Sequence, residues 1–342
     1  MQKGHYNFLD KILHRLALQN TAFAEMSFDL NLRLYKHEIA NVSPLQHIFI
    51  AGLARSGTTI LMRQLYDTVR YRSLTYQDMP FVLAPNIWQK FSSSSHKSYE
   101  QSERMHGDGI KISPDSPEAL EEVFWRIFTG SEYIKKDRLI PYHVSQEIIA
   151  KFRQYVSLII LSGKTDAKFY LSKNNNNILR LPAIRKAFPS ALILVPFRNP
   201  LTHANSLFYQ HKLFIKLQNQ NQFTRKYMDW LGHFEFGSGH KIFDFGNQSS
   251  KNQNIDDFNY WLDLWINTYD GIRNTASKDV HFICYEDLCK NKDVWKNISH
   301  LAGIEKTPVH NFILREKEIV EDIDKNKLDK AFILYESLRN KT

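Results

Sequence analysis

A loop bounded by two glycines lies between a short apolar run and a helical pattern early in the chain. The apolar run is 48–51, the loop extends from Gly52 to Gly57, and the helical pattern opens on Thr58-Thr59. Glycine lets the backbone approach an anion closely, and the first N–H groups of a helix point at it. The strand, loop and helix together predict a phosphate site within an α/β fold. The alternative interpretation is an ordinary strand-to-helix turn capped by Thr58.

Short β-rich runs alternate with helical patterns along the rest of the chain. The predicted strands are 47–51, 71–76, 169–171, 192–195 and 280–285, and the helical patterns are 58–70, 116–129, 145–161, 177–188, 200–217 and 256–275. This alternation predicts an α/β fold with a central parallel sheet flanked by helices on both faces. Ligands of such sheets bind beyond the carboxyl ends of the strands, where we therefore expect the site.

No stretch is typical of a linker between independent cores, so we predict one domain over 1–342 with its core at about 45–305. The N-terminal pattern 7–19 places its apolar side chains at helical spacing; they are Phe8, Leu9, Ile12, Leu13 and Leu16. We expect this helix to bury its apolar face on the body, together with a C-terminal helical segment. Contact of the helix with a membrane surface is the alternative.

The chain is moderately basic, with 45 Lys and Arg against 36 Asp and Glu and a formal net charge of +9. This balance predicts an anionic partner: a nucleic acid, an acidic membrane, or an anionic cofactor or substrate. A hydrophobic fraction of 43% excludes disordered and fibrous classes.

Cysteine content and apolar run length predict the compartment. Only Cys284 and Cys289 are present, too few for a disulfide framework and typical of a reducing environment. No apolar run approaches the ~18 residues of a transmembrane helix, and the first residues lack the pattern of a secretory signal. We therefore expect a cytoplasmic protein.

The glycine-bounded loop departs from the loop that binds nucleoside triphosphates. Gly52 and Gly57 have the spacing of that loop, but Thr58 stands where its lysine should be, and the cation lies within the loop at Arg55. No acidic magnesium ligand ends a neighbouring apolar strand. This loop suits a single 5′-phosphate group that bears a transferable anion, and no metal is expected.

A second anion site is predicted where the run 192–197 ends. Arg198 follows the strand, Asn199-Pro200 opens a helix, and Ser206 lies two turns further along it. Arg198 and Ser206 together can contact one phosphate group. The alternative is that Arg198 pairs with a surface carboxylate and that Ser206 lies on a polar helix face.

These motifs resemble the sulfotransferases that use 3′-phosphoadenosine-5′-phosphosulfate, in their broad bacterial and tyrosylprotein-like branch. The run Ala-Arg-Ser-Gly-Thr-Thr from Ala54 is similar to their Pro-Lys/Arg-Ser-Gly-Thr-Thr loop, with Ala54 in place of the proline. Arg198-Asn-Pro with Ser206 is similar to their 3′-phosphate signature, and Tyr285-Glu-Asp-Leu is similar to a run whose tyrosine contacts the nucleotide in some relatives. The matching motifs span 48–288.

The resemblance implies a P-loop-like sulfotransferase fold and transfer of a sulfuryl group, in line, to an acceptor hydroxyl of a carbohydrate, glycolipid or small metabolite. The implied partners are the nucleotide donor and the acceptor alcohol, without nucleic acid. Peripheral contact with a membrane stays open. The residues implied to bind the donor are Arg55, Ser56, Gly57, Thr58, Thr59, Arg198, Ser206 and Tyr285.

Sulfuryl transfer needs cations for the transferring oxygens and a base for the acceptor proton. Arg55 is the first cation, and the resemblance implies Lys173, at the end of an apolar run, as the second; a solvated lysine in an Asn-rich turn is the alternative. Asp78 corresponds to the position at which related enzymes carry a glutamate base. Two alternatives to Asp78 as the base remain. The first is an acid at the start of the helical pattern 116–129, namely Glu118, Glu121 or Glu122, although this run is also typical of a capping box. The second is a histidine such as His106.

Two other function classes compete with this interpretation. The first is a P-loop nucleotide kinase or nucleotide hydrolase, against which Thr58 counts. The second is a non-catalytic basic nucleotide or nucleic-acid binder, although the basic residues are scattered among acids. We expect acceptor specificity in the loops near 77–115 and 232–256; the polar stretch 232–254 is interpreted either as a substrate lid or as a flexible connection.

Overall fold

The computed structural model describes residues 8–42, 46–92, 102–103, 111–163, 167–246, 254–305, 312–314 and 322–340. Its helices are α1 (Phe8–His14), α2 (Thr21–Leu34), α3 (Lys36–Ile39), α4 (Thr58–Tyr66), α5 (Pro85–Ser92), α6 (Glu122–Tyr133), α7 (Gln146–Leu161), α8 (Leu181–Ala187), α9 (Pro200–Gln220), α10 (Gln222–Leu231), α11 (Phe258–Thr275), α12 (Tyr285–Lys290), α13 (Lys292–Leu301) and α14 (Lys325–Arg339). Its strands are β1 (Ile48–Ile50), β2 (Tyr71–Arg72), β3 (Ser102–Glu103), β4 (Lys111–Ile112), β5 (Arg138–Leu139), β6 (Phe169–Lys173), β7 (Leu192–Phe197), β8 (Ile242–Phe243) and β9 (Val280–Cys284). A π-helical segment, Arg15–Gln19, continues α1, and 3-10 turns cover Tyr76–Asp78, Asn175–Leu179 and Gly237–Gly239.

Within the described residues, five strands form a parallel sheet in the order β2-β6-β1-β7-β9. The strand β1 lies at its centre, with Ile50 opposite Lys173 of β6 on one side and opposite Leu194 of β7 on the other. The loop that follows β1 therefore leaves the sheet between the carboxyl ends of β6 and β7. Smaller pairings join β3 to β4, antiparallel, and β5 to β8, parallel.

Both faces of the sheet are covered by helices, as the alternation of strands and helices predicts. Successive side chains of a strand point to opposite faces. Phe49 packs in the same apolar cluster as Phe152 of α7, whereas Ile48 and Ile50 pack with Leu61 of α4. The predicted α/β fold is confirmed.

Two predicted elements are shorter in the structure than the sequence pattern indicates. The strand predicted over 71–76 ends at Arg72, because the chain then turns and the Asp78 carboxylate caps the Thr75 N–H. The helix predicted over 116–129 begins only at Glu122, because Pro117 pairs with Thr75 in an antiparallel bridge and the Glu118 N–H donates to the Leu74 carbonyl, which hold 117–118 beside the turn after β2.

The N-terminal helical segment buries other residues than the apolar pattern predicts. Ile12 and Leu16 are 39% and 42% exposed, whereas Ala17 and Leu18 are buried. The π-helical segment changes the helical register before these residues, so the predicted buried face is wrong. The side chains of Phe8 and Leu9 lie outside the described part.

None of the helices in the described ranges combines the length and the apolarity that crossing a membrane requires.

Candidate active site

The loop after β1 contains three residues with left-handed backbone conformations. Their φ angles are +141° at Gly52, +70° at Arg55 and +96° at Gly57. A Cβ at Gly57 would lie 2.4 Å from the Tyr285 ring, so this position requires glycine both for its φ and for its close packing. The Ser56 hydroxyl is buried and donates to the Leu53 carbonyl at 2.8 Å, which closes the loop on itself.

Gly57 is the N-cap of α4, so the first N–H groups of that helix face the loop. Thr58 is buried at the helix start and Thr59 is half-buried. The structure thus places the whole run from Arg55 to Thr59 at the carboxyl end of the central strand, where an anion can be held.

The two anion motifs predicted separately from the sequence are in direct contact. Arg55 Nε donates to Ser206 Oγ of α9 at 3.2 Å, and Arg198 Nη1 donates to the Arg55 carbonyl at 3.3 Å. Arg198 follows the last residue of β7, and the Asn199 side chain caps α9 through the Leu201 and Thr202 N–H groups. The geometry of adjacent parallel strands therefore brings the motifs together.

The Arg198 guanidinium has a buried Nε–H that finds no hydrogen-bond acceptor among the described residues. It lies 3.9 Å from Glu286 Oε1, beyond hydrogen-bond distance, while the guanidinium carbon lies 5.2 Å from the centre of the Tyr285 ring. An anionic group brought to this place would satisfy the donor.

The Tyr285-Glu-Asp-Leu run begins α12 directly after β9. Tyr285 packs its ring against Gly57 and donates its hydroxyl to the Ile313 carbonyl at 3.1 Å. Burial raises the pKa of Tyr285, so the hydroxyl stays a donor. The Glu286 carboxylate accepts the Asn199 N–H at 3.1 Å and so fixes the start of α9.

Lys173 is the last residue of β6 and is only 8% exposed, so the interpretation as a solvated lysine in a polar turn is wrong. The Asn-rich turn after it is buried as well. Asn174 Nδ2 donates to Glu122 at 2.7 Å, and Asn177 Nδ2 donates to Glu121 at 3.1 Å. The turn is a buried hydrogen-bond network that holds the end of the strand.

Asp78 is buried, and both of its carboxylate oxygens have partners. Arg72 Nη2 donates to them at 2.7 and 2.9 Å, and the Thr75 N–H and hydroxyl donate to Oδ2 at 2.7 and 3.2 Å. These contacts tie the turn after β2 together.

Glu121 and Glu122 lie in the core, 2% and 1% exposed. Glu121 accepts from Trp125, Tyr170 and Asn177. Glu122 forms a two-bond ion pair with Arg180, at 2.9 and 3.0 Å.

Glu118 differs from its two neighbours in being half-buried. Its Oε2 accepts the Tyr76 hydroxyl at 2.8 Å, and its Oε1 accepts the Ala119 N–H at 2.9 Å. The Ala119 carbonyl lies 3.1 Å from His233 Nε2, which joins this carboxylate to the segment after α10. His106, the remaining predicted base, lies outside the described residues.

His233 and Glu235 were not predicted, and no motif marks them. Glu235 accepts from Asn175 Nδ2 at 2.9 Å and lies 3.6 Å from His233 Nδ1. Burial alone would raise the pKa of Glu235, but the charges of His233 and Lys173 bring it down to about 2. Burial lowers the pKa of His233, and the Glu235 charge outweighs this and raises it. The only signal in the sequence was the polar composition of this segment.

The comparisons with known proteins agree with the motifs. The model of the sulfotransferase family matches residues 47–239, more than half of the chain. The chain belongs to the sulfotransferase family. A comparison with curated protein sequences gives no match.

Two solved structures share the fold of this sulfotransferase. The sulfotransferase STF1 from Mycobacterium tuberculosis H37Rv is 13% identical with a TM-score of 0.51, over 99% of this chain and 87% of that one. The sulfotransferase STF9 from Mycobacterium avium is 12% identical with a TM-score of 0.50, over 94% of this chain and 75% of that one. The family and the sulfotransferase fold that the motifs implied are confirmed.

Residues 232–246 of this sulfotransferase, which follow α10, pack against the rest of the protein. The Gly237 N–H donates to His211 Nδ1 at 3.3 Å, the Ser238 N–H donates to Gln218 Oε1 at 2.8 Å, and β8 pairs with β5. These contacts argue against a flexible connection in this part; the remainder of the predicted loop, 247–253, lies outside the described residues.

Proposed function

We propose that this sulfotransferase transfers a sulfuryl group, in line, from 3′-phosphoadenosine-5′-phosphosulfate to an acceptor hydroxyl of a carbohydrate, glycolipid or small metabolite. One observation carries the proposal. Arg55 of the first anion motif is bonded to Ser206 and Arg198 of the second, at 3.2 and 3.3 Å. Such contact suits a ligand with two phosphate groups on one nucleoside.

The donor would be held by this chain's own donors at both ends. The N–H groups at the start of α4 and the Arg55 guanidinium would bind the 5′-phosphosulfate, with the hydroxyls of Ser56, Thr58 and Thr59 lining the same place. Arg198 and Ser206 would bind the 3′-phosphate. The buried Arg198 Nε–H, which has no hydrogen-bond acceptor in the part of the chain that the structure describes, supports this assignment. Tyr285 would contact the nucleotide through its ring. When bound, the donor supplies the sulfuryl group.

Lys173 would stabilise the negative charge that develops on the transferring oxygens. Its place at the end of the strand next to β1, opposite Ile50, supports this role. Since Lys173 is nearly buried, its charge acts where water screens it weakly. The low pKa of Glu235, about 2, means that an anion balances this cation across the neutral pH range.

We propose Glu118 as the base that takes the acceptor proton. Half-burial leaves its carboxylate within reach of a substrate, and the Tyr76 hydroxyl orients it. Asp78 already accepts from Arg72 and Thr75 within the core, and Glu121 and Glu122 hold core partners. We therefore do not assign the base to these three carboxylates.

The cytoplasmic location, the single-domain organisation and the absence of a metal requirement stay predictions. The unpaired state of Cys284 and Cys289 supports the first of them.

Calorimetry with three ligands tests the proposal. The wild-type protein is titrated with adenosine 3′,5′-bisphosphate, with ATP and magnesium, and with an oligonucleotide. We expect binding of the bisphosphate, no comparable binding of the other two, and a strong loss of bisphosphate affinity in Arg198→Ala. Binding of ATP and magnesium without binding of the bisphosphate would favour the kinase or hydrolase alternative.

The acceptor class is tested separately, with donor-loaded protein and a panel of alcohols. Release of adenosine 3′,5′-bisphosphate reports transfer, and the panel includes sugars, glycolipids and small metabolites. Donor binding without transfer to any hydroxyl compound would contradict the proposed acceptor class while leaving the donor assignment in place.

A further inference from the structure

A buried histidine of α9 contacts the backbone of the loop after β1. His203 is fully buried, and its Nε2 lies 2.8 Å from the Ala54 carbonyl oxygen. Its other ring nitrogen, Nδ1, lies 3.1 Å from the indole Nε1 of Trp265 on α11, which is also fully buried. The side chains of two helices thus form a chain of hydrogen bonds that ends on the loop.

The partners determine where the ring carries its proton. An indole N–H can only donate, so Nδ1 of His203 must be the acceptor. Nε2 therefore carries the hydrogen and donates it to the Ala54 carbonyl. Burial lowers the pKa of His203 to about 3, and the charges of Arg198 and Arg55 act in the same direction. The ring is neutral at physiological pH, with a single tautomer.

This hydrogen bond acts next to a strained residue. Arg55 has a φ of +70°, which a residue with a side chain adopts at a cost. Ala54 lacks the ring with which a proline would fix its own φ, so its conformation depends on outside contacts. Helix α9 contacts both residues from positions one turn apart: His203 donates to the Ala54 carbonyl, and Ser206 Oγ accepts from Arg55 Nε.

We propose that His203, fixed in its tautomer by Trp265, is a positioning residue for the 5′-phosphate end of the donor. By holding the Ala54 carbonyl it keeps Arg55 and the following N–H groups in the conformation that receives the anion. This inference rests on the proposed donor, and His203 itself touches the loop rather than the ligand.

Four variants in two matched pairs test the proposal. His203→Gln places an amide N–H near the position of Nε2, whereas His203→Asn is too short to reach the Ala54 carbonyl. Trp265→Phe keeps an aromatic ring in the core but removes the donor that fixes the tautomer. Trp261→Phe is its control, because Trp261 lies one turn away on α11, is equally buried, and donates to the Ile255 carbonyl instead.

The affinity of each variant for adenosine 3′,5′-bisphosphate, 5′-AMP and 3′-AMP is measured by calorimetry, alongside thermal unfolding. We expect His203→Asn to bind the bisphosphate and 5′-AMP about tenfold more weakly, since the buried Ala54 carbonyl loses its donor. Trp265→Phe should weaken binding of the same two ligands in the same direction, since the ring that donates to this carbonyl is no longer fixed at Nδ1. Their affinity for 3′-AMP should fall by a clearly smaller factor, because the His203 contact reaches Arg198 and Ser206 only through Arg55. His203→Gln and Trp261→Phe should bind all three ligands like the wild type.

Unchanged 5′-AMP affinity in both His203→Asn and Trp265→Phe would overturn the proposal, as would an equal loss for 3′-AMP, which indicates general damage to the fold. If His203→Asn does not fold, Trp265→Phe carries the test, since it leaves the core filled. Failure of the wild-type protein to bind the bisphosphate would refute the proposed donor instead, and is therefore a distinguishable result.

Discussion

At the scale of single residues, the two charges proposed to carry the catalysis are shielded from water to different degrees. Lys173 is 8% exposed at the end of β6, and Glu118 is half-buried near the segment that carries His233. Charges in such places interact more strongly than they do in water. Their removal should therefore change catalysis by large factors.

Lys173→Ala is expected to lower kcat by about 10²-fold or more, because the developing negative charge loses a buried cation. The affinity for adenosine 3′,5′-bisphosphate should change little, since this ligand carries no transferring group. Lys168→Ala, an exposed lysine just before β6, serves as the control and should keep full activity. A loss of bisphosphate affinity that matches the loss in kcat would assign Lys173 to donor binding instead.

Glu118→Gln and Asp78→Asn should behave in opposite ways. Glu118→Gln keeps an oxygen for the Ala119 N–H and places an NH2 that can donate to the Tyr76 hydroxyl oxygen, but it removes the base. We therefore expect kcat to fall by about 10²–10⁴-fold with little loss of stability. Asp78→Asn leaves Arg72 without its buried counter-charge, and the free energy of unfolding should fall by about 3–5 kcal/mol. Urea denaturation and steady-state kinetics measure both. A stable but inactive Asp78→Asn protein beside an active Glu118→Gln protein would return the base to Asp78.

The positions of residues within motifs could be predicted from the sequence. The role of a residue that depends on which distant side chains pack around it could not. Arg55, Arg198 and Ser206 follow strands or open helices at fixed spacings, so their positions follow from the local chain. Asp78 and Glu118 differ only in what packs around them. Asp78 pairs with Arg72, and Arg72 Nη2 also donates to Ser162 Oγ at 3.2 Å, just after α7. Ser162 is distant from both in the sequence, so no local pattern around Asp78 indicates this arrangement.

At the scale of elements, the strand β1, its loop and α4 form one continuous connection. Gly57 ends the loop, caps the helix and accommodates the Tyr285 ring at the same time. The strands and most long helices could be predicted because their apolar spacing is set by burial on the sheet. The helix α2 was missed, although its buried Ala24, Phe28 and Asn31 recur at helical spacing.

Gly57→Ala tests this connection. The new Cβ would meet the Tyr285 ring at 2.4 Å with a φ of +96°, so we expect adenosine 3′,5′-bisphosphate to bind about tenfold or more weakly. Gly246→Ala is a matched control, because Gly246 has a φ of +97° and a Cβ added there would meet no atom within 4 Å. Both variants should lose about 1–2 kcal/mol of stability from backbone strain, but only Gly57→Ala should lose affinity. Equal affinities would mean that the ring moves aside freely.

At the scale of the whole molecule, several buried histidines should make the stability of the fold sensitive to acid. Burial lowers the pKa of His203 to about 3 and the pKa values of His47, His211 and His240 to about 4, from an ordinary value of 6.5. The unfolded chain binds protons at these sites below about pH 6.5 while the folded chain does not. Stability conferred by their neutral state is therefore lost as the pH falls from about 6.5 towards 4.

We expect the free energy of unfolding to fall between pH 7 and pH 5, with an uptake of up to about four protons on unfolding, each worth about 1.4 kcal/mol per pH unit. His233, whose pKa is raised, opposes this in part. His47→Asn keeps an acceptor for the Tyr170 N–H but cannot titrate, so it should reduce the uptake by about one proton. Urea denaturation across this range measures the slope, and a flat profile would contradict the assignment of neutral buried rings.

The contact between Arg55 and Ser206 has a thermodynamic consequence for the proposed donor. The loop that carries Arg55 and the helix that carries Ser206 are hydrogen-bonded to each other, so a shift of one on binding a phosphate group also shifts the other. The affinities for the two phosphate groups are then linked by a coupling free energy, and the linkage is reciprocal. A nucleotide with both groups at the correct separation gains from this linkage, whereas one that lacks either group forfeits it. The chain would in this way discriminate nucleotides by the distance between their charges.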